Sequence, residues 1–206
     1  VAHFEKCIRY ISSHYEVITV EKLPSVKNDF QKHKYATISF DDSDVKIPEL
    51  MMSWDDLKEL NIQGHYIGSH SVTHPMLERI SNENEIRAEL LDSGNIIKKN
   101  LGYFPLTLAY PIGSYNENVI RICKESGYKI GLATKQDIYN PERDDIFEVP
   151  RIELLNEPWW KTLMRITNLL EDVKRKIYYR MHLFLGAGFY ELIYEDAAIS
   201  YSMSAL

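Results

Sequence analysis

The chain has 206 residues, a net charge of −6, 45% apolar and 26% charged residues. These are ordinary globular values, and the length suffices to bury a core without disulfide or metal staples. Mild acidity without a long Lys/Arg block excludes a basic nucleic-acid binder, no run reaches the ~20 apolar residues of a membrane helix, and two cysteines, Cys7 and Cys123, make no disulfide scaffold.

Phe4, Cys7, Ile8 and Ile11 fall at i, i+3, i+4 and i+7, which predicts an opening amphipathic helix. Residues 15–20 read as a strand, Pro24 and residues 27–29 as a loop, and Tyr35–Phe40 as a second, strong strand ended by Asp41-Asp42. Ser53 can cap a helix from Trp54 to about Asn61, with Asp55 and Asp56 in its first turn. Tyr66–Ser69 reads as a short strand. Ile86, Leu90, Ile97 and Leu101 mark a helix over 83–101, closed by Gly102. A strand over 106–110 runs into Pro111 and Gly113, followed by a helix over 116–126 stopped by Gly127. Strands over 129–133 and 147–154 complete the pattern. Strands alternating with helices predict an α/β fold with parallel strands, which places function at the strands' carboxyl ends. From Trp159 the pattern changes. Trp160, Leu163, Thr167, Leu170, Val173 and Ile177 form one stripe, which predicts an amphipathic helix over 159–179 and divides the chain into 1–158 and a tail, 159–206.

Three clusters carry possible chemistry. Asp41 and Asp42 follow a buried-type strand; taken alone, a loop start or helix cap explains them more simply. His70 and His74 are spaced to share one face of a helical turn, and two convergent imidazoles plus a carboxylate make a three-ligand catalytic metal set. Two ordinary surface histidines explain the pair as well, and the glutamate of a HExxH protease motif is missing. Pro111-Ile112-Gly113 can present backbone N–H groups to a developing oxyanion, although a plain strand-to-helix turn accounts for it alone.

Together, SFDDSD, GSHSVTHP and AYPIGSYN resemble the three leading motifs of the polysaccharide deacetylase (NodB-homology) family, the family 4 carbohydrate esterases. The resemblance runs from about Phe4 to Arg151. It implies a deformed (β/α) barrel and a metal-dependent hydrolase that removes an acetyl group from an amino sugar or polysaccharide. Asp42, His70 and His74 would hold a divalent metal, usually zinc, which lowers the pKa of a bound water and polarises the acetamide carbonyl. Asp41 would be the general base, and the Ile112 backbone N–H would hold the oxyanion. The resemblance implies work on envelope or exported glycans. No signal peptide opens this sequence, so a cytoplasmic role on an activated sugar precursor stays open too.

The sequence departs from the family pattern in four places. Ser43 stands where glycine is usual after Asp-Asp. Ala109 replaces the arginine that steadies the catalytic aspartate, and Arg151 is the candidate substitute. The late Leu-x-His motif, source of the general acid, has no match; His182 is the one histidine downstream of His74, and His65 reads as packing. Only 11 residues separate Asp42 from Trp54, whereas a parallel crossover needs roughly a dozen or more. Either the barrel is incomplete through an internal deletion, or a stretch is absent from this sequence. The second reading, from a different class, is therefore a catalytically impaired glycan-binding or scaffold domain on the same fold.

Overall fold

The computed structural model describes residues 2–26, 32–40 and 52–169. Asp41, Asp42, Ser43, most of the short crossover, His182 and the tail from residue 170 lie outside them. The chain divides into two units, Val1–Asn156 and Glu157–Leu206.

In the first unit, α1 (Ala2–His14) buries Cys7 and Ile11, as its spacing predicts. The chain then forms β1 (Glu16–Val17), a 3₁₀ segment over Val20–Val26 and β2 (Tyr35–Ala36), which pairs parallel with β1. Both strands are shorter than their residue types predict. The chain leaves β1 for the 3₁₀ segment around Pro24, so β2 has a partner for two residues, and Phe40 beyond it is 76% exposed. Strand propensity describes fit to a paired, half-buried surface and does not supply the partner.

Helix α2 (Trp54–Ile62) starts with a reciprocal capping box: Asp56 N–H donates to Ser53 Oγ at 3.2 Å and Ser53 N–H to Asp56 Oδ2 at 2.7 Å. Helix α3 (Glu83–Leu101) begins at Asn82 and ends at left-handed Gly102. β3 (Thr107–Ala109), α4 (Glu117–Glu125), capped by Asn116, and β4 (Ile130–Leu132) follow. β3 and β4 are parallel, and single parallel bridges add Ser69 beside Leu108 and Val149 beside Leu132. The predicted strands at 66–69 and 147–154 are reduced to these bridges. The resulting order, Ser69, β3, β4, Val149, follows the chain. Among the described residues this ladder and the β1–β2 pair do not join.

Side chains alternate across β3. Leu108 and Tyr110 join Ile86 and Leu90 of α3, Val119, Ile122 and Cys123 of α4, and Leu77, Tyr128 and Phe147 in the larger core. Ala109 faces the other way, with Ile130, Leu132 and Val149, beneath Val20 and Leu23 of the 3₁₀ segment. Both cysteines are unpaired and buried, and burial pushes the Cys123 thiol up to about 12. In the second unit, α5 covers Trp159–Ile166, and Arg165 pairs with Glu157 at 2.8 Å. The helix predicted over 159–179 is interrupted at Thr167–Asn168, where Asn168 has φ 57°; its remainder lies outside the described residues.

Gly131 marks a close approach. A Cβ there would run into the Phe147 carbonyl oxygen and the hydroxyl of Tyr110, which donates to that same oxygen at 2.9 Å. Strand propensity alone favours alanine over glycine. The buried clash reverses the sign, so Gly131→Ala should lower unfolding free energy by about 1–3 kcal/mol, read from urea denaturation.

Candidate functional site

Every strand and bridge in the larger ladder runs parallel, so the residues that follow Ser69, Ala109, Leu132 and Val149 emerge at one end. His70, the Tyr110–Gly113 turn, Ala133 and Arg151 are those residues.

His70 is oriented by backbone. Ser69 N–H donates to the Thr107 carbonyl at 3.0 Å, and Ala109 N–H donates to the Ser69 carbonyl at 2.9 Å. The Ala109 carbonyl lies 2.8 Å from His70 Nδ1. A carbonyl oxygen only accepts, so Nδ1 carries the hydrogen and the neutral ring has its lone pair on Nε2. This is the form that ligates a metal, fixed by an outer hydrogen bond. The His74 ring meets His70 edge-on, with centroids 4.9 Å apart at 70°.

The pair converges, but not on a helical turn as the spacing predicts. Residues 70–74 are a loop with Ser71 at φ 66° and His74 at φ 57°. Left-handed backbone costs a side-chain-bearing residue about 1–2 kcal/mol. The loop offsets this with polar contacts. His74 N–H donates to Ser71 Oγ at 3.1 Å. Glu89 of α3 accepts three times: from Val72 N–H and Thr73 N–H, each at 2.9 Å, and from the Thr73 hydroxyl at 2.6 Å. Partial burial raises the Glu89 carboxyl, yet the bonds from Thr73 and Val72 lead the opposing effects that hold the group below its ordinary value. One turn along α3, Ser93 Oγ meets Ser69 Oγ at 2.7 Å in the interior. Sequence reasoning missed Glu89 and Ser93. Ser93 carried a signal, a polar residue among Ile86, Leu90 and Ile97 on the buried face, whereas Glu89 lies at the partly exposed edge of that face.

The second turn is strained at the residue assigned to the oxyanion. Ile112 has φ 57° and ψ 11°, unusual for a β-branched residue, and is 58% exposed. The turn's bonds run from Gly113 N–H to the Tyr110 carbonyl and from Ser114 N–H to the Pro111 carbonyl, at 3.0 and 2.8 Å. Gly113 (φ 68°) is packed so tightly on Thr134 that a Cβ would overlap its side chain. Ser114 Oγ accepts from Glu78 N–H at 3.1 Å, tying this turn to the chain just beyond the histidine loop.

Arg151 is half-buried. Its Nε donates to the Ala133 carbonyl at 2.9 Å, and Nη1 lies 3.5 Å from Ser39 Oγ, two residues before Asp41. The loop after β4 is clamped by Arg143, which pairs with Asp144 at 2.7 Å and Asp137 at 2.9 Å. The same loop accepts Arg151 N–H at the Lys135 carbonyl and Glu153 N–H at Gln136 Oε1.

The structure thus brings His70 and His74 together and sets Ile112 and Arg151 at the same end of the ladder. Asp41 and Asp42 lie outside the described residues, and among those described no group of three His, Cys, Asp or Glu converges as a metal site. Two imidazoles, one with a fixed tautomer, fit two ligands of a three-ligand set.

The sequence model of the polysaccharide deacetylase family matches residues 27–131, half of the chain. The chain belongs to the polysaccharide deacetylase family. The peptidoglycan-N-acetylglucosamine deacetylase of Bacillus cereus is 26% identical over 113 residues, which are 54% of this chain and 38% of that protein. The peptidoglycan-N-acetylglucosamine deacetylase PgdA of Listeria monocytogenes is 37% identical over 57 residues, 28% of this chain and 12% of that protein. The chain therefore spans well under half the length of these curated relatives. Among solved structures, Streptococcus pyogenes deacetylase PplD in complex with acetate aligns with a TM-score of 0.68 at 21% identity, over 80% of this chain and 85% of that one. IcaB from Ammonifex degensii aligns with a TM-score of 0.65 at 17% identity, over 79% and 86%. At these identities the likeness shows the fold, and this polysaccharide deacetylase family member shares it.

Two outcomes follow from the loops. Asparagine tolerates left-handed backbone and keeps the N–H, so Ile112→Asn should raise unfolding free energy by about 0.5–1 kcal/mol in urea titration. The Arg143 guanidinium, against opposing burial, holds the Asp144 carboxyl below its ordinary value. That contribution is full above the ordinary Asp value of about 3.9 and is lost as pH falls through the depressed one. Arg143→Ala should therefore lose less stability than the parent between neutral pH and about pH 3, measured by thermal melts across that range.

Proposed function

We propose that this chain is a metal-dependent carbohydrate deacetylase on a deformed (β/α) barrel, acting on an N-acetylated sugar of a polysaccharide. The observation that carries it is the Nδ1–H of His70 on the Ala109 carbonyl with His74 edge-on beside it. The names of the Bacillus and Listeria relatives favour a cell-wall glycan as substrate, and so an envelope location. In this reading residues 1–158 form the deacetylase domain and 159–206 a C-terminal extension.

Asp42, His70 and His74 hold the divalent metal, zinc in the first instance. When bound, it supplies Lewis acidity toward the acetamide carbonyl and toward the attacking water. Asp41 takes the proton of that water on a carboxylate oxygen. The Ile112 N–H donates to the acetamide oxygen as negative charge develops there, which a backbone donor in a rigid turn does without reorganising. Arg151 steadies Asp41 in place of the arginine missing at Ala109; its guanidinium beside Ser39 supports that role. Water oxygen bonds to the acetyl carbon, the C–N bond breaks, and the amine leaves with a proton.

A second reading is a catalytically impaired glycan-binding domain, favoured by Ser43, by Ala109 and by the missing Leu-x-His motif. Metal content of the purified chain, followed by acetate release from N-acetylated glycan, separates the two. One equivalent of zinc is expected, lost in His70→Ala and His74→Ala together with hydrolysis. Asp41→Asn should keep the metal and lose at least about 100-fold in rate. Arg151→Ala should lower rate more than zinc affinity. Full activity in Asp41→Asn would remove the base from Asp41, and a parent without zinc would favour the binding domain.

A further inference from the structure

Glu89 is placed and engaged in a way that its neighbours on α3 do not explain. A helix packed on a sheet normally turns apolar side chains inward, and here Ile86, Leu90 and Ile97 do so. Ser93 is buried on that side, and Glu89, four residues earlier and so one turn away along the helix, lies at its partly exposed edge. Ser93 reaches Ser69, the residue before His70. Glu89 reaches Val72 and Thr73, the residues before His74. Each histidine therefore follows directly on a residue anchored to α3. Between the anchors the backbone is left-handed at Ser71, and it is left-handed again at His74. Neither is glycine, and beside the Ser71–His74 bond within the loop the three bonds into one carboxylate support the conformation from outside it.

We infer that Glu89 is a positioning residue for the metal site: through Val72 and Thr73 it holds the loop in the one conformation that turns His74 onto His70, with Ser93 fixing the other end. The inference rests on the reading of His70 and His74 as metal ligands. Glu89 contacts no reacting atom in it and acts through the loop. The carboxylate suits the task because it only accepts, and the loop offers three donors at one place. A glutamine keeps one acceptor oxygen, and its NH₂ can instead donate to Thr73 Oγ1. Alanine leaves all three loop donors without this acceptor.

The test compares the full-length parent, Glu89→Ala, Glu89→Gln, Thr73→Val and His74→Ala. Zinc affinity is read by competition with a chromophoric chelator. Amide exchange at Val72 and Thr73 is read on metal-free protein. Glu89→Ala should weaken zinc binding about 10- to 100-fold, the usual effect of removing a group that orients a ligand. It should also speed exchange at both amides. Glu89→Gln should recover most of each loss, and Thr73→Val should show a smaller effect of the same sign. If Glu89→Ala does not fold, Glu89→Gln and Thr73→Val carry the test. A merely structural Glu89 would lower the thermal midpoint and leave zinc affinity of the folded protein unchanged, which would overturn the inference. A parent that binds no zinc, indistinguishable from His74→Ala, would sink the metal reading instead. The exchange measurement then still judges the loop: protection at Val72 and Thr73 that survives Glu89→Ala overturns the inference, and its loss upholds the clamp.

Discussion

Ala109 is engaged through both halves of its backbone, and the site depends on that double engagement. Its N–H donates to the Ser69 carbonyl, and its own carbonyl accepts from His70 Nδ1. The first bond sets the register between the histidine segment and β3, and the second uses that register to orient a ring. A slip of one residue would turn every side chain of the segment to the opposite face. It would also present His70 to a different backbone group. The chemistry of the imidazole is thus a consequence of strand pairing, and the pairing is held from below by a buried core in which Leu108 and Tyr110 are fully covered.

Strain collects where the parallel segments end. Ser71, His74 and Ile112 all adopt left-handed backbone at the carboxyl end of the ladder, and none of them is glycine. Such conformations persist where surrounding bonds over-determine them. At the histidine loop the support is polar, through Glu89 and Ser71. At the Ile112 turn it is steric and polar together: Gly113 pressed on Thr134, and Ser114 holding Glu78. The Ser114–Glu78 bond also ties the second turn to the chain that follows the first, and groups held by such bonds need little reorganisation to act.

The helices were readable in the sequence because their ends carry their own chemistry. Ser53 with Asp56, Asn82, Gly102 and Asn116 stand where the boundaries fall. The strands were readable in place but not in length. Tyr35–Phe40 has the composition of a strand, yet pairing ends at Ala36, since a strand's extent is decided by its partner. The histidine pair was found for a reason that the backbone does not follow. A spacing of four suggested a helical turn, and the rings converge through a left-handed loop instead. Glu89 escaped because its role is set by what lies across from it, three donors of a loop 16 and 17 residues earlier. At the partly exposed edge of α3, a glutamate in the sequence gives no sign of such a role.

Alanine at position 109 and arginine at 151 fit the packing on this face of β3. Ala109 is buried with Ile130, Leu132 and Val149, and Val20 and Leu23 lie against that cluster. An arginine at 109 would have to carry its stem past these apolar groups. If its guanidinium stayed among them, the desolvation penalty would be several kcal/mol. With alanine there, Val20 and Leu23 can close over the sheet. Arg151 leaves the neighbouring bridge at Val149 instead, fastens its Nε to the Ala133 carbonyl, and extends toward Ser39. One end of the guanidinium is thus fixed by backbone, and the other is directed at the segment that leads into Asp41. Returning an arginine to 109 would not add to this arrangement, because it would displace the packing that now covers that face of β3.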